Sequence, residues 1–330
     1  MRISILALFL FLIVSCSVDP MLPWFTEPTN PCLELPDTTI HPVTQYQTEN
    51  IFVIVIDGPR WSDTWGFPGK TLIPYQRQHL LPKGMFCTNF INDGLTKTIS
   101  GHAAITTGCY EKLENTGGEL PSRPSLMQIW LAKTDEPKES AWVITSKDKL
   151  YVLGNCKDPD WQGKFMPSLN CGNNGPNSGY REDNLTTETA KNIVTQHHPN
   201  FAIINFREPD YSAHQNNWNG YITGIKNTDS LTWSLVNFIE SDSIYAGKTT
   251  YFITNDHGRH LNEVQDGFVS HGDGCNGCRK ISLLAIGPDF KENDSTGILF
   301  NHVNFSATIA ELLGLGRNEN DSKVMWDIFK

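Results

Sequence analysis

Four short runs in this sequence are almost wholly β-branched, aromatic or otherwise apolar: IFVIVI (51–56), FAIINF (201–206), TTYFIT (249–254) and ISLLAI (281–286). AWVIT (141–145) is a weaker fifth. A strand that lacks polar alternation is apolar on both faces and needs cover on both, which is the position of a central strand in a parallel sheet. Helical patterns lie between the runs. One spans 125–133, with Leu126, Ile129, Trp130 and Leu131; others span 186–196, 221–239 and 302–316, the last closed by Gly314 or Gly316. Strands that alternate with helices predict an α/β sandwich: a mostly parallel central sheet with helices on both faces.

In such a sheet, ligands bind beyond the carboxyl ends of the strands, so the residues after each run carry the information. Asp57 follows the first run. REPDYSAHQ follows the second and places Asp210 and His214 four apart, on one face of a helix. NDHG follows the third with Asp256 and His257, and SHGDG comes soon after with His271. Three carboxylates and three imidazoles suit zinc, and they suffice for two ions with open positions. Two ions about 4 Å apart form a clamp for in-line displacement at phosphorus. TKTISGHAAITTG (96–108) adds Thr98 between a predicted strand, MFCTNFIND, and a helix-like segment. A threonine at a helix N-terminus beside a dication can ionise at neutral pH. Taken singly, each residue has an ordinary reading. Asp57 could cap a helix, Asp210 and His214 could be a surface pair, and Thr98 could be an N-cap, with Thr96 and Ser100 as neighbouring nucleophiles. His102 and His260 read as structural.

The segments VIVIDGPR, TKTISGH, EPDYSAH, NDHG and HG, in that order over residues 51–272, resemble the alkaline phosphatase superfamily. They are most similar to its nucleotide pyrophosphatase/phosphodiesterase branch and to secreted bacterial phosphatases with a threonine nucleophile. The resemblance implies two Zn2+ ions. Asp57, Asp256 and His257, with Thr98, would hold the ion that activates Thr98; Asp210, His214 and His271 would hold the other. SKDK (146–149) resembles the Lys-x-Arg element of the family's threonine monoesterases, which makes Lys147 and Lys149 substrate-binding candidates. A lysine at the second place lacks the guanidinium fork. The diesterase branch has an asparagine where Glu119 stands here, and Asn115 in ENTGG is the candidate substitute. The Cys/Ser-x-Pro-x-Arg precursor of sulfatases is absent at Thr98-Ile99-Ser100-Gly101.

The expectation is a metal-dependent phosphoric ester hydrolase that acts on a small phosphorylated substrate through a phosphothreonine, with monoesters slightly preferred. A nucleotide pyrophosphatase/phosphodiesterase on the same site is the alternative, with Trp61, Trp65 and residues 152–184 as candidates for the apolar wall a second ester group needs. A non-catalytic, ligand-binding surface lipoprotein is a reading from another class, and a phosphotransferase or mutase a third.

The amino-terminal segment points to export. Met1-Arg2 precedes an apolar stretch, 3–14, that is too short to cross a bilayer but suits a secretory signal. LIVSC (12–16) resembles the lipobox of bacterial lipoproteins, which implies a lipid anchor on Cys16. The expected organisation is a signal at 1–16, a Pro-rich tether at 17–48 and one catalytic domain at 49–330, with 152–184 as a loop or cap insertion. A net charge of −10 without a basic block argues against nucleic acid as the main partner. In an oxidising compartment most of the cysteines at 32, 87, 109, 156, 171, 275 and 278 should pair. Cys156 with Cys171 would close a polar loop, and Cys275 with Cys278 would brace the loop after His271. A zinc ribbon needs four thiolates; one C-x-x-C supplies two, and no second such pair is present.

Overall fold

The computed structural model describes Cys32, residues 46–315 and residues 323–330. Cys16, the signal-like segment and nearly all of the tether lie outside the described residues. The first apolar run forms β1 (Asn50–Ile56), buried at every position. Its odd residues Ile51, Val53 and Val55 enter one core, and its even residues Phe52, Ile54 and Ile56 enter another. Each such side chain contributes about 1.5–3 kcal/mol when fully buried.

The remaining strands are β2 (Gly84–Ile91), β3 (Ala141–Thr145), β4 (Ser168–Cys171), β5 (Phe201–Phe206), β6 (Thr249–Thr254), β7 (Lys280–Ile286), β8 (Asp294–Thr296) and β9 (Phe300–Asn301). They form one sheet in the order β4-β3-β5-β1-β6-β7-β2-β8, with β9 also on β2. Every pairing is parallel except those of β7, which runs against both β6 and β2. ISLLAI thus reads like its parallel neighbours but has the opposite direction, because burial on both faces fixes composition and leaves direction open. The reversal brings the start of β7 to the edge where the other strands end.

One face is covered by α1 (Thr98–Thr107), α2 (Leu126–Thr134) and α7 (His302–Leu312), through Ile99, Ala103, Ile129, Phe305 and Ile309. The other is covered by α3 (Asp183–His197) and the long α5 (Trp218–Glu240), through Ile193, Val194, Ile225, Leu235 and Ile239. The short α4 (Asp210–His214) and α6 (Asn276–Arg279) lie at the strand ends. Capping boxes start two helices: Ser125 with Gln128 for α2, and Asn301 with Asn304 for α7. Within 152–184, residues 168–171 are an edge strand of the sheet, so this segment is in part an extension of the fold.

The cysteines pair differently from expectation. Cys32 and Cys109 form a disulfide across 77 residues. Cys156 and Cys171 are free, and so are Cys275 and Cys278. Strand β4 turns the Cys171 thiol towards the Val143 carbonyl, 3.8 Å away. Cys275 is the N-cap of α6, where its sulfur accepts the Cys278 N–H at 3.4 Å and so is directed at backbone.

His302, fully buried at the start of α7, approaches the Asn255 carbonyl through Nε2 at 3.0 Å and meets Phe90 edge-on. Burial pushes its pKa from 6.5 down to about 4. The unfolded chain therefore binds a proton that the folded chain refuses. The contribution is complete above pH 6.5 and is lost as pH falls through about 4, a loss of roughly 3 kcal/mol. His302→Gln keeps a donor for Asn255 but cannot titrate. Its melting temperature, measured against pH, should fall less steeply than that of the parent protein across this window.

Candidate metal centre

Three adjacent parallel strands, β5, β1 and β6, end at one edge and deliver Asp210, Asp57 and Asp256 there. Two glycines allow the close packing around them. A Cβ on Gly101 would come 2.4 Å from the Asp256 carbonyl oxygen, and Gly58, at φ +61°, would push one to 2.9 Å from Asp210, His257 and Arg259.

Asp57, Asp256 and His257 form the first set. His257 Nε2 lies 3.5 Å from Asp57 Oδ1 and 3.3 Å from Asp256 Oδ2, and all three residues are fully buried. These three atoms, Asp57 Oδ1, Asp256 Oδ2 and His257 Nε2, have no hydrogen-bond partner. His257 Nδ1 lies 2.9 Å from the Gly258 carbonyl, to which it can only donate, so the unpartnered Nε2 carries the lone pair. Buried acceptors are normally satisfied, and three orphans converging on one point are the signature of a cation site. The donor set of two oxygens and one imidazole nitrogen fits zinc.

Asp210, His214 and His271 form the second set. Asp210 Oδ1 is 3.3 Å from the Nε2 atoms of both histidines, which lie 3.0 Å from each other. His271 Nδ1 donates to the Thr96 carbonyl at 2.6 Å, which leaves Nε2 as an acceptor. His214 differs: its Nδ1 faces Arg259 Nη2 at 3.5 Å, and a guanidinium can only donate. His214 must give up that contact before Nε2 can act as a ligand. The two sets adjoin, the His257 ring stacking on His271 at 3.7 Å.

Two cations are set into this cluster. Lys147, at the end of β3, is 1% exposed; its Nζ lies 2.9 Å from Asp57 Oδ2, 2.6 Å from Asp210 Oδ2 and 3.3 Å from Thr98 Oγ1. Arg259, fully buried, pairs with Asp210 and donates to the Val269 carbonyl at 2.6 Å. Sequence reasoning missed Arg259. Its signal was its position, directly after NDHG and beside two ligands. It also missed Asn205, whose amide donates to Asp57 Oδ2 at 3.2 Å, and Asn92, whose amide donates to the Asp256 carbonyl at 2.7 Å.

The electrostatics follow from this arrangement. Burial, then the charge of Asp256, raises the Asp57 carboxyl well above its usual range despite Lys147. Burial would raise Asp210 too, but Lys147 and Arg259 outweigh it and hold the carboxyl well below that range. Asp256 is also held low against burial, by His257 and by His102, whose Nδ1 is 3.4 Å from Oδ2. Burial lowers both His257 and His271, which keeps their rings neutral and able to ligate.

Thr98 is the first residue of α1, buried beneath Lys147. Asn115 Oδ1 accepts the Ile99 N–H at 3.0 Å, and Lys149 Nζ donates to the Asn115 carbonyl at 3.2 Å. Asn115 and Lys149 therefore stand by the first turn of α1. Burial, then repulsion from Lys147, lowers Lys149 to about 8. Glu119 pairs with Lys157 at 2.8 Å near the surface. Trp65 is a core residue, 5% exposed and packed on Phe86, so it does not line the site. Tyr180 does approach the centre: Lys147 Nζ is 5.8 Å from its ring, which meets Tyr211 edge-on.

A family model described as the Metalloenzyme superfamily matches residues 173–271, the stretch that holds Asp210, His214, Asp256, His257 and His271. Among solved structures, murine ectonucleotide pyrophosphatase/phosphodiesterase 5 superposes with a TM-score of 0.61 at 14% identity, over 85% of this chain and 100% of that one. A Vibrio parahaemolyticus protein in the alkaline phosphatase superfamily matches with 0.59 at 16% identity, over 89% and 76%. The chain has the alkaline-phosphatase-superfamily fold. PsFucS1 sulfatase from Pseudoalteromonas sp. shares it with 0.57 at 15% identity, over 81% and 68%. No curated protein matches by sequence.

Zinc added to the metal-stripped protein should raise its melting temperature, since an ion at a hundredfold over its Kd adds about 2.7 kcal/mol. Calorimetry of Asp57→Asn/Asp256→Asn should show a smaller rise. An equal rise in parent and variant would mean that the three orphaned atoms do not take up the ion.

Proposed function

We propose that this chain is an exported, two-zinc phosphoric ester hydrolase that works through a phosphothreonine on Thr98, with monoesters slightly preferred over diesters. One observation carries the reading. A single ammonium, Lys147 Nζ, touches the Thr98 hydroxyl and the carboxylates of Asp57 and Asp210, so the candidate nucleophile lies within one side chain's reach of both ligand sets. Asp57, Asp256, His257 and Thr98 would hold one ion, and Asp210, His214 and His271 the other. When bound, the ions would supply the positive charge that lets a hydroxyl or water ionise near neutral pH and that offsets charge on the phosphoryl oxygens.

The chain's own residues account for the rest. The Thr98 hydroxyl loses its proton to solvent, its oxygen attacks phosphorus as the bond to the ester oxygen breaks, and that oxygen takes a proton from solvent and leaves as the alcohol. Water then attacks the phosphothreonine, releases phosphate and returns Thr98 to its hydroxyl form. The N-terminal end of α1 favours negative charge at Thr98. His102 Nδ1 meets the Thr98 carbonyl at 2.8 Å and so ties the first turn of α1 to Asp256. Lys147 and Arg259 neutralise two of the three carboxylates, which leaves a net charge of about −1 before metal binds and about +3 with two dications. That field favours a phosphate dianion over a monoanionic diester. The same fold is shared by a murine phosphodiesterase, of which an inactive threonine-to-alanine variant is known in complex with AMP. Tyr180 and Tyr211 could flank a second ester group, and this is the observation that favours diesterase activity. The LIVSC segment supports anchoring through a lipid on Cys16, and Cys16→Ser should move the protein from the membrane fraction to the soluble one.

Acid quenching during turnover of p-nitrophenyl phosphate should trap a phosphorylated peptide at Thr98, read by mass spectrometry. Thr98→Ala should remove it and lower kcat by at least about 10³-fold. Turnover by Thr98→Ala at the parent rate would sink the proposal, as would turnover that survives a strong chelator. Lys147→Ala should lower kcat/KM for the monoester about 10–100-fold, and less for bis-p-nitrophenyl phosphate. An equal loss on both substrates would assign Lys147 to holding the carboxylates together instead of selecting a dianion.

A further inference from the structure

We infer that His260, Asp273, Cys275 and Cys278 form a further metal site, a closed four-coordinate zinc clasp on the loop between β6 and β7. One ligand atom from each of these residues lies within 4.8 Å of all the others. Two sulfurs, one imidazole nitrogen and one carboxylate oxygen are a donor set that selects zinc, and four protein ligands leave no position open for a substrate.

The orientation of His260 is the second, independent observation. The residue is 2% exposed. Its Nδ1 lies 3.0 Å from Asp266 Oδ1, which Ser270 Oγ also engages at 2.6 Å. A carboxylate only accepts, so Nδ1 carries a hydrogen, and with the ring neutral Nε2 is the nitrogen that offers a lone pair to a metal. That Nε2 is buried without a hydrogen-bond partner, although Asp273 Oδ2 is 3.2 Å away. Asp273 Oδ2 also accepts from Gln265 Nε2 at 2.7 Å; beside a neutral His260 ring it faces a second acceptor, and a cation between them and the two sulfurs removes that conflict. A carboxylate behind a ligating histidine is the usual device for fixing its tautomer. The sulfurs are prepared in the same way: Cys275 Sγ already accepts the Cys278 N–H at 3.4 Å, and Cys278 is fully buried. The sequence offers C-x-x-C as half a site. The other half comes from residues 15 and 2 positions upstream of Cys275, brought in by the reversal of the chain into β7.

The clasp has a structural consequence. The Cys278 carbonyl accepts the Gly258 N–H at 2.7 Å, next to His257. The Asp273 carbonyl accepts the Thr96 hydroxyl at 2.5 Å, while the Thr96 carbonyl accepts from His271. A metal held by these four residues therefore fixes the loop that carries His271 and the turn that leads to Thr98.

The inference does not depend on the reaction proposed above, and its test does not read activity. The full chain is stripped of metal under reducing conditions and reloaded with cobalt(II). Thiolate-to-cobalt charge-transfer absorption in the near ultraviolet is expected. It should vanish in Cys275→Ser/Cys278→Ser, with bound metal falling by one equivalent per chain, and persist in Asp57→Asn/Asp256→Asn. If the double serine variant does not fold, His260→Gln serves. In it, Cys275 and Cys278 should alkylate faster than in the zinc-loaded parent, by mass spectrometry. Absence of the charge-transfer band in the parent would overturn the inference. So would isolation of the native protein with a Cys275–Cys278 disulfide, or alkylation in His260→Gln no faster than in the parent.

Discussion

Three carboxylates buried at one sheet edge are the constraint on which the rest of this structure depends. Asp57, Asp210 and Asp256 stand at the ends of neighbouring strands, almost without solvent. An isolated carboxylate in such a place would take a proton or force the site open. Here Lys147 bridges two of them, Arg259 holds one, and Asn205 donates to Asp57. These contacts still leave Asp57 Oδ1, Asp256 Oδ2 and His257 Nε2 unmatched. The residual demand for positive charge is specific in place, and a metal cation there would answer it.

The sheet order creates that demand. With β1 between β5 and β6 in parallel register, the residues after Ile56, Phe206 and Thr254 must share an edge. Strands β2 and β3 run the same way and bring Thr98 and Lys147 to it. The reversed β7 contributes from its start, which adds the C-x-x-C turn and the loop that carries His271. The fold thus brings Thr98, the candidate ligands and the bracing loop together from the ends of β1, β2, β3, β5 and β6 and the start of β7.

Fold and reaction are separate questions in this architecture. A phosphodiesterase and a sulfatase superpose on the chain about equally well. What is particular to this chain at that edge is a set of side chains: a threonine at position 98, a buried lysine at 147, and an aromatic pair at 180 and 211. Lys147 and Arg259 add positive charge to the site, which favours anionic ligands there.

Much of this was legible in the sequence. The five apolar runs, their alternation with helices, and the acids and imidazoles after them are local patterns. A strand buried on both faces must be apolar throughout, and a chain that leaves a sheet must place its polar groups at the strand end. What remained hidden depends on contacts between distant segments. Nothing local sets the direction of ISLLAI, the pairing of Cys32 with Cys109, or the burial of Lys147 in place of exposure beside Lys149. The pairing of Arg259 with Asp210 is likewise a contact between segments 49 residues apart. The sequence by itself determined which residue types end each strand, because periodicity and burial act over a few residues. Only the tertiary structure decided which of those residues face one another, because that depends on strand order and direction, set by the packing of the whole sheet.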